Sequence, residues 1–511
     1  MGYARAGLLL LLCGVLGGCS HTEWQASFWQ PVGPPPPSAI NAFLKVHTRT
    51  GDVYVLDRWS VDPATRTVRG EGRRYDEMRT VRGEGHFDIP VDEVALLETN
   101  RPHAVTDAGP IVMGVVTGAS MLMTGYCATN PKACFGSCPT FYAHDGRGPA
   151  LQAEGFSASV ARVFEATDVD SLTSAAPRSG SLSLLMRNEA LETHMVRHVA
   201  LLAVPRSDGD RVLRAGARYY PARRFVGPVR CRSEREDCRR AVADLDGVEY
   251  APLTDPEDLG ARQAIELEFP AIDGPQGLVI SGRNSLVGTF LFYQLLAYLG
   301  TNAGEWLVAL EGGDARVGAV HALGAELARI EVEIRGADGE WIGVGVYDEV
   351  GPIARDRQVL PLPETAGDGP IHLRLLTTRG FWKLDQLALA GLGEPVEPVR
   401  ITPTRVLRDG RADRRAAALL RDPDGYLVTY PGDDYTFEFD LPAGDQELFV
   451  ESRGYYYEWM REQWLEEQDA AEAARFMFDL PGALRRLAPV YKRMEADVDR
   501  IFWESRIGEA P

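Results

Sequence analysis

The sequence predicts a multidomain, mainly β protein with helical segments, an α+β architecture. Two observations carry this. At 511 residues the chain is too long for a single core, and 45% apolar residues are enough to fill several. Runs of strand length with alternating apolar and polar residues, bounded by Gly and Asp turns, recur through most of the chain, whereas helical patterns are confined to a few stretches.

The chain opens with Arg5, an apolar run Leu8–Val15 and small residues before Cys19, the order of a secretory signal over residues 1–18 and too short for a permanent span. Leu16-Gly17-Gly18-Cys19 resembles the lipobox of bacterial lipoproteins. The resemblance implies cleavage before Cys19 and a diacylglycerol on its thiol, so that the lipid membrane is the first partner; several acyl chains together hold a protein firmly. Ser20 stands where an inner-membrane retention signal of the enterobacterial type has Asp, which implies the outer membrane. The prolines in residues 31–38 read as an extended spacer, making residues 19–38 a lipidated tether.

Residues 39–102 read as a small β barrel. FLKVHT and VYVLDRWSV flank the turn Thr50–Asp52, and Ile89–Glu98 supplies the closing strand. RTVRGEG occurs at Arg66–Gly72 and again at Arg79–Gly85; lacking a third glycine and a following helix, it predicts strand ends with tight turns rather than a phosphate loop.

Residues 103–280 form a predicted central, cysteine-bearing α+β domain. Its uncharged stretch Gly109–Tyr126, with Gly114 and Gly118 four apart, favours a buried or interfacial helix. NEALETHMVRHVALLAV reads as a helix on which His194 and His198 share a face. With Glu189 and Glu192 they could bind a metal, but the acid of a metalloprotease helix is replaced by Met195, and a polar helix face is the simpler reading.

Residues 281–400 read as a β-sandwich in which IEVEIRG pairs with WIGVGVYDE and IHLRLLTT pairs with FWKLDQLALAG; Trp341, Tyr347 and Trp382 are core aromatics that could alternatively stack on a sugar. Before these strands, Gly288–Gly300 predicts a short apolar helix. Residues 401–511 read as a unit of two strands, TFEFDLP and ELFVESRGYY, followed by a helix pair, one over Glu458–Leu480 and one from Pro481 bent at Pro489. Trp459, Trp464, Tyr491 and Trp503 would pack that pair on the sheet.

After loss of Cys13 with the signal and acylation of Cys19, five cysteines remain. An exported chain favours disulfides, and the local pairs are Cys134 with Cys138 and Cys231 with Cys238, leaving Cys127 buried and reduced; bridges between the two clusters satisfy the spacing equally. Cys134-x₃-Cys138 is not a C-x-x-C redox site, and a zinc site lacks a second pair at suitable spacing. CFGSCPTFYAHDG resembles the C-F-G-x-C-P-x-Y segment of uncharacterised bacterial envelope lipoproteins. That resemblance implies a hairpin between Thr140–Ala143 and Leu151–Phe156, turned at Asp145-Gly146, with Gly155 at a bulge.

No nucleophile elbow, S-x-x-K or H-E-x-x-H is present, and Asp244–Gly247 shares too little with a calcium loop to be more than a solvated turn. Net charge of −19 without a basic stripe excludes nucleic acid as the expected partner. Arginine outnumbers lysine, which occurs only at 45, 132, 383 and 492, and this reads as genome composition. The expected function is a non-enzymatic structural or binding lipoprotein without a cofactor, contacting envelope proteins or polysaccharide. The competing expectation is a hydrolase, or a carbohydrate-binding lipoprotein, whose site is assembled from distant residues.

Overall fold

The computed structural model describes residues 20–29, 43–62, 64–76, 81–106, 138–234, 236–311, 327–348, 351–363 and 369–507. The chain divides into two compact units, Met1–Lys132 and Ala133–Pro511, and is mainly β with several sheets and a few helices. Cys19, Cys127, Cys134, the proline run and the Gly109–Tyr126 stretch lie outside the described residues.

The first unit contains β1 (Ser20–Trp29), β2 (Leu44–Thr48), β3 (Val53–Asp62), β4 (Thr67–Tyr75), β5 (Val81–Pro90) and β6 (Val94–Thr106). They form an open antiparallel sheet in the order β1-β6-β2-β3-β4-β5, not the predicted barrel. Closure fails because Ile89–Glu98 is not one strand. It breaks at the turn Val91–Glu93, and β6 then runs between β1 and β2, leaving β1 and β5 as the edges. The predicted tether is also corrected: Ser20–Trp29 pairs along its whole length with Leu97–Thr106, so the proline-rich residues link two strands of one sheet. The described parts of the RTVRGEG copies beyond the turn at Arg66, Thr67–Gly72 and Val81–Gly85, lie in paired strands, with Gly72 opposite Gly85 and Glu71 opposite His86. Gly72 is required by close approach, since a Cβ there would lie 1.9 Å from the Val55 carbonyl oxygen. Leu44, Val46, Leu56, Val68, Ile89 and Leu97 form the core.

In the second unit, β7 (Thr140–His144), β8 (Pro149–Glu154), β9 (Ala166–Ser171), β10 (Ser181–Arg187) and β11 (Glu192–Pro205) come first. Then follow β12 (Arg211–Ala215), β13 (Arg218–Val226), β14 (Arg230–Ser233), β15 (Arg262–Phe269), β16 (Gln276–Asn284), β17 (Ile330–Arg335), β18 (Trp341–Tyr347), β19 (Asp356–Pro361), β20 (Ile371–Thr378) and β21 (Trp382–Leu392). The last strands are β22 (Val399–Ile401), β23 (Arg405–Arg408), β24 (Arg411–Ala412), β25 (Leu427–Thr429), β26 (Asp434–Asp440) and β27 (Gln446–Glu458).

Chain order and sheet order disagree with the predicted boundaries. One sheet is β24-β23-β26-β10-β7-β8, and the next is β22-β11-β27-β9 with β25 also on β11. Strands from both ends of the unit therefore build one sandwich, filled by Phe141, Leu184, Met186, Val199, Leu201, Phe437, Phe439 and Val450. Residues 401–458 complete the sandwich that residues 140–205 begin, and do not form a domain of their own. Between them the chain makes a closed barrel, β12-β13-β21-β16-β19, and a sheet, β14-β15-β20-β17-β18. The predicted hairpin of β20 with β21 is not formed: β20 pairs with β15 and β17, β21 with β13 and β16. Gly380, at φ 74°, turns the chain from one sheet to the other. The β17–β18 hairpin is present as predicted.

The predicted helix carrying the two histidines is strand β11. Its apolar run Val199–Val204 is buried throughout, because one face meets the sandwich core and the other, at Leu202 and Val204, meets Val212 and Tyr219 of the inserted barrel. A strand covered on both sides loses its alternation and reads like a buried helix. The expected apolar helix is present as Val287–Leu299. The predicted Glu458–Leu480 helix is instead two short ones, Glu462–Leu465 and Ala470–Phe478, the latter capped by Asp469 accepting from Ala471 and Glu472. Leu480–Lys492 does contain Pro489, and Val498–Ser505 follows. Of the four predicted aromatics, Trp464 and Tyr491 pack on the Val287–Leu299 helix, Tyr293 meeting Trp464 at 5.0 Å and Phe290 meeting Tyr491 at 5.2 Å between ring centroids. Trp459 meets the sheet as expected, its indole donating to Thr193 Oγ1 of β11 at 2.8 Å, and Trp503 stays 40% exposed.

Candidate functional site

β11 is the longest strand of its sheet, and its free edge is only partly covered. β25 pairs with His194–Val196 and β22 with Leu201–Ala203, so neither strand covers residues 197–200. A bulge between Val196 and His198 lies in this gap. It shifts the core-facing residues from Val196 to Val199, Leu201 and Ala203, and re-aims Arg197 and His198. The chain that leaves β22 and returns as β25 roofs the gap with Thr402, Pro403 and residues 420–423. The result is a cleft of about 560 Å³ lined by Arg197, His198, Arg400, Arg421 and Arg453, with Asp422 as the acidic lining residue and Val406, Ala417 and Leu420 as an apolar floor.

Carboxylates fix most of these cations. Glu165 accepts from Arg453 Nε at 2.8 Å, from Tyr426 Oη at 2.6 Å and from Arg197 Nη2 at 3.1 Å. Burial works to raise its carboxyl, but the hydrogen bonds from Arg197, Tyr426 and Arg453 outweigh burial and hold it at about 2. Arg197 also stacks over Tyr426, 4.2 Å from the ring centroid. Glu451 pairs with His198 Nε2 at 3.1 Å and accepts from Arg400 Nε at 2.7 Å; the histidine first, and Arg400 with it, hold it at about 2. Arg421 makes no side-chain hydrogen bond or ion pair among the described residues.

The residues singled out from sequence do not converge on this cleft. His198 lines it, but His194 lies on the opposite face of β11, wholly buried, with Nε2 2.9 Å from Glu192 Oε1. The bulge puts the two histidines on opposite faces, so they cannot ligate one metal, and no metal-binding group of His, Cys, Asp and Glu occurs among the described residues. His144 sits on the β7–β8 hairpin beside Arg178, and Glu189 accepts from Thr140 at 2.6 Å and Tyr142 at 3.0 Å. Three histidines thus occupy three separate places.

Glu192 belongs to a sealed polar cluster. Its register partner Glu458 accepts from Tyr293 Oη at 2.5 Å and from Arg461 Nη1 at 2.8 Å. Burial, and then the charge of Glu458, push the Glu192 carboxyl well above the usual range. None of these groups lines the cleft.

Tyr347 and Trp382 are buried against each other at 5.2 Å, and the Trp382 indole donates to the Ala328 carbonyl at 2.9 Å. Both are core. Trp341 is half-buried under the Arg374 guanidinium, 4.6 Å from its ring centroid, so the three do not form a sugar platform. Cys231 and Cys238 form the predicted disulfide, and Cys238 N donates to the Cys231 carbonyl across the loop. Cys138 is a free, buried thiol rather than half of a bridge to Cys134. Its Sγ faces the Ser157 carbonyl at 3.7 Å inside the sandwich. The Asp145-Gly146 turn is present, Asp145 Oδ1 accepting from Arg147 and Gly148. The hairpin's bulge falls opposite Phe141 and Tyr142, while Gly155 is needed because a Cβ would lie 2.8 Å from the Phe141 ring and from Ser452 Oγ.

Sequence reading missed Arg197, Arg400, Arg421 and Arg453. The available signal was the break in apolar spacing at Val196-Arg197-His198-Val199. No described protein family matches the chain, and a search of curated proteins finds no match.

Proposed function

We propose that this chain is a lipid-anchored protein of the outer membrane that binds an envelope polysaccharide or protein and carries out no chemistry on it. The Leu16–Cys19 segment and Ser20 support the anchor and its location. The lining of the cleft carries the binding reading. Arginine keeps its proton throughout the physiological range, so the guanidiniums of Arg400, Arg421 and Arg453 can hold an anion but do not exchange protons with it. The imidazole in the lining, His198, is engaged by Glu451. A general acid or base needs a titrating group free to reach its substrate.

The test is retention of isolated envelope polysaccharide by the immobilised native lipoprotein. Polysaccharide should be retained and recovered with its chain length unchanged. Shortened chains would show a hydrolase, and absence of retention would remove polysaccharide as the partner.

A further inference from the structure

We infer that the cleft is a site for a single anionic sugar-sized ligand, one carrying a phosphate or carboxylate group. This deepens the binding reading by naming the ligand chemistry, and it does not depend on the lipid anchor.

Three observations support it. First, the cleft's size, about 560 Å³, is in the range of small-molecule sites and suits one sugar unit, free or within a longer chain. Second, donors are left over. Arg400 spends only Nε on Glu451, so both of its Nη groups lack a protein partner among the described residues, and the whole Arg421 guanidinium does too. Each fork can meet an oxyanion through two parallel N–H donors. Third, the surroundings restrict how the cations can move. Glu451 holds Arg400 at its Nε end, and Glu165 holds Arg453 at 2.8 Å. A ligand there meets two guanidiniums, Arg400 and Arg453, that are already oriented, which lowers the ordering cost of binding.

The arrangement also specifies the ligand's shape. Arg400, Arg421 and Arg453 would take the oxyanion, while Val406, Ala417 and Leu420 would lie against the less polar body of the molecule. Thr402 offers a hydroxyl at the same wall. A neutral sugar would leave the guanidinium forks unmatched.

Calorimetric titration of the full-length lipoprotein in detergent tests this with four probes: inorganic phosphate, glucose 6-phosphate, glucuronic acid and glucose. The inference expects one or both charged sugars to bind, glucose not to bind, and affinity to fall with added salt. Whichever charged sugar binds more tightly identifies phosphate or carboxylate as the recognised group, and inorganic phosphate competes if it is phosphate. Arg421→Ala, at an exposed position outside the ion-pair network, should leave the thermal midpoint unchanged and weaken binding about tenfold. Arg400→Ala should weaken it comparably. Binding of glucose equal to that of the charged sugars, no binding of any anion, or anion binding indifferent to both substitutions would overturn the site. A chain that binds these anions yet retains no polysaccharide would remove the polysaccharide partner and leave the site standing.

Discussion

Glu154 shows how a single side chain couples the sandwich to its insertion. It is 3% exposed at the end of β8, and its Oε2 accepts from Ile353 N at 2.7 Å and Ala354 N at 3.2 Å. Gly351 is glycine because a Cβ there would lie 2.1 Å from the Glu154 carboxyl carbon. Burial raises the carboxyl to about 7 despite the two amide donors. Its contribution to stability is therefore fully present below the unfolded value of roughly 4.5, and is lost as pH rises through 7, where the unfolded chain is already ionised. Glu154→Gln fixes the neutral form. We expect the urea stability of wild type relative to this variant to fall by on the order of 3 kcal/mol between pH 4.5 and 8. A pH-independent difference would contradict the assignment. None of this was legible in ALQAEGFS, since a glutamate in an alternating strand reads as solvated. The Cys231–Cys238 bridge was legible because seven residues of separation suffice to close it locally, whereas the burial of Cys138 depends on strands that come from the far end of the chain.

At the scale of the element, β11 carries both the main misreading and the candidate site. Its histidine spacing and apolar run satisfy a helix as well as a strand, and sequence alone cannot show that both faces are covered. The full burial of His194, with its bond to Glu192, and the partly buried pairing of His198 with Glu451 follow from the bulge. They predict unequal costs. His194→Ala should destabilise by about 2–4 kcal/mol, from a buried cavity and the loss of a partner for Glu192. His198→Ala should cost less, about 1 kcal/mol, since this pair is only partly buried and Glu451 keeps Arg400 as a partner. Equal urea midpoints for the two variants would return the histidines to one face. The hairpins β7–β8 and β17–β18 were legible because turn chemistry and strand alternation are local. The β20–β21 pairing was not, because adjacency in sequence favours a hairpin unless the tertiary fold assigns the strands to different sheets.

For the whole molecule, composition and turn spacing identified a mainly β, multidomain chain, but not its partition. Local patterns cannot reveal that β10 and β11 await β26 and β27 from more than two hundred residues later. The same limit hid the arginine cleft, whose lining comes from β11, β22, β27 and the 420–423 loop. No described helix is long and apolar enough to cross a membrane. The attachment proposed above is through Cys19. Because β1 begins at Ser20, a lipid on the preceding residue would place the N-terminal sheet directly at the bilayer surface, with no spacer between them. The most direct measurement is metabolic labelling with palmitate of wild type and Cys19→Ala, followed by envelope fractionation. We expect label in the wild-type protein and its recovery with the outer membrane, and no label in the variant, which should be soluble in the periplasm or retained with its signal uncleaved. Equal label in both proteins, or unlabelled wild type, would contradict the lipoprotein account.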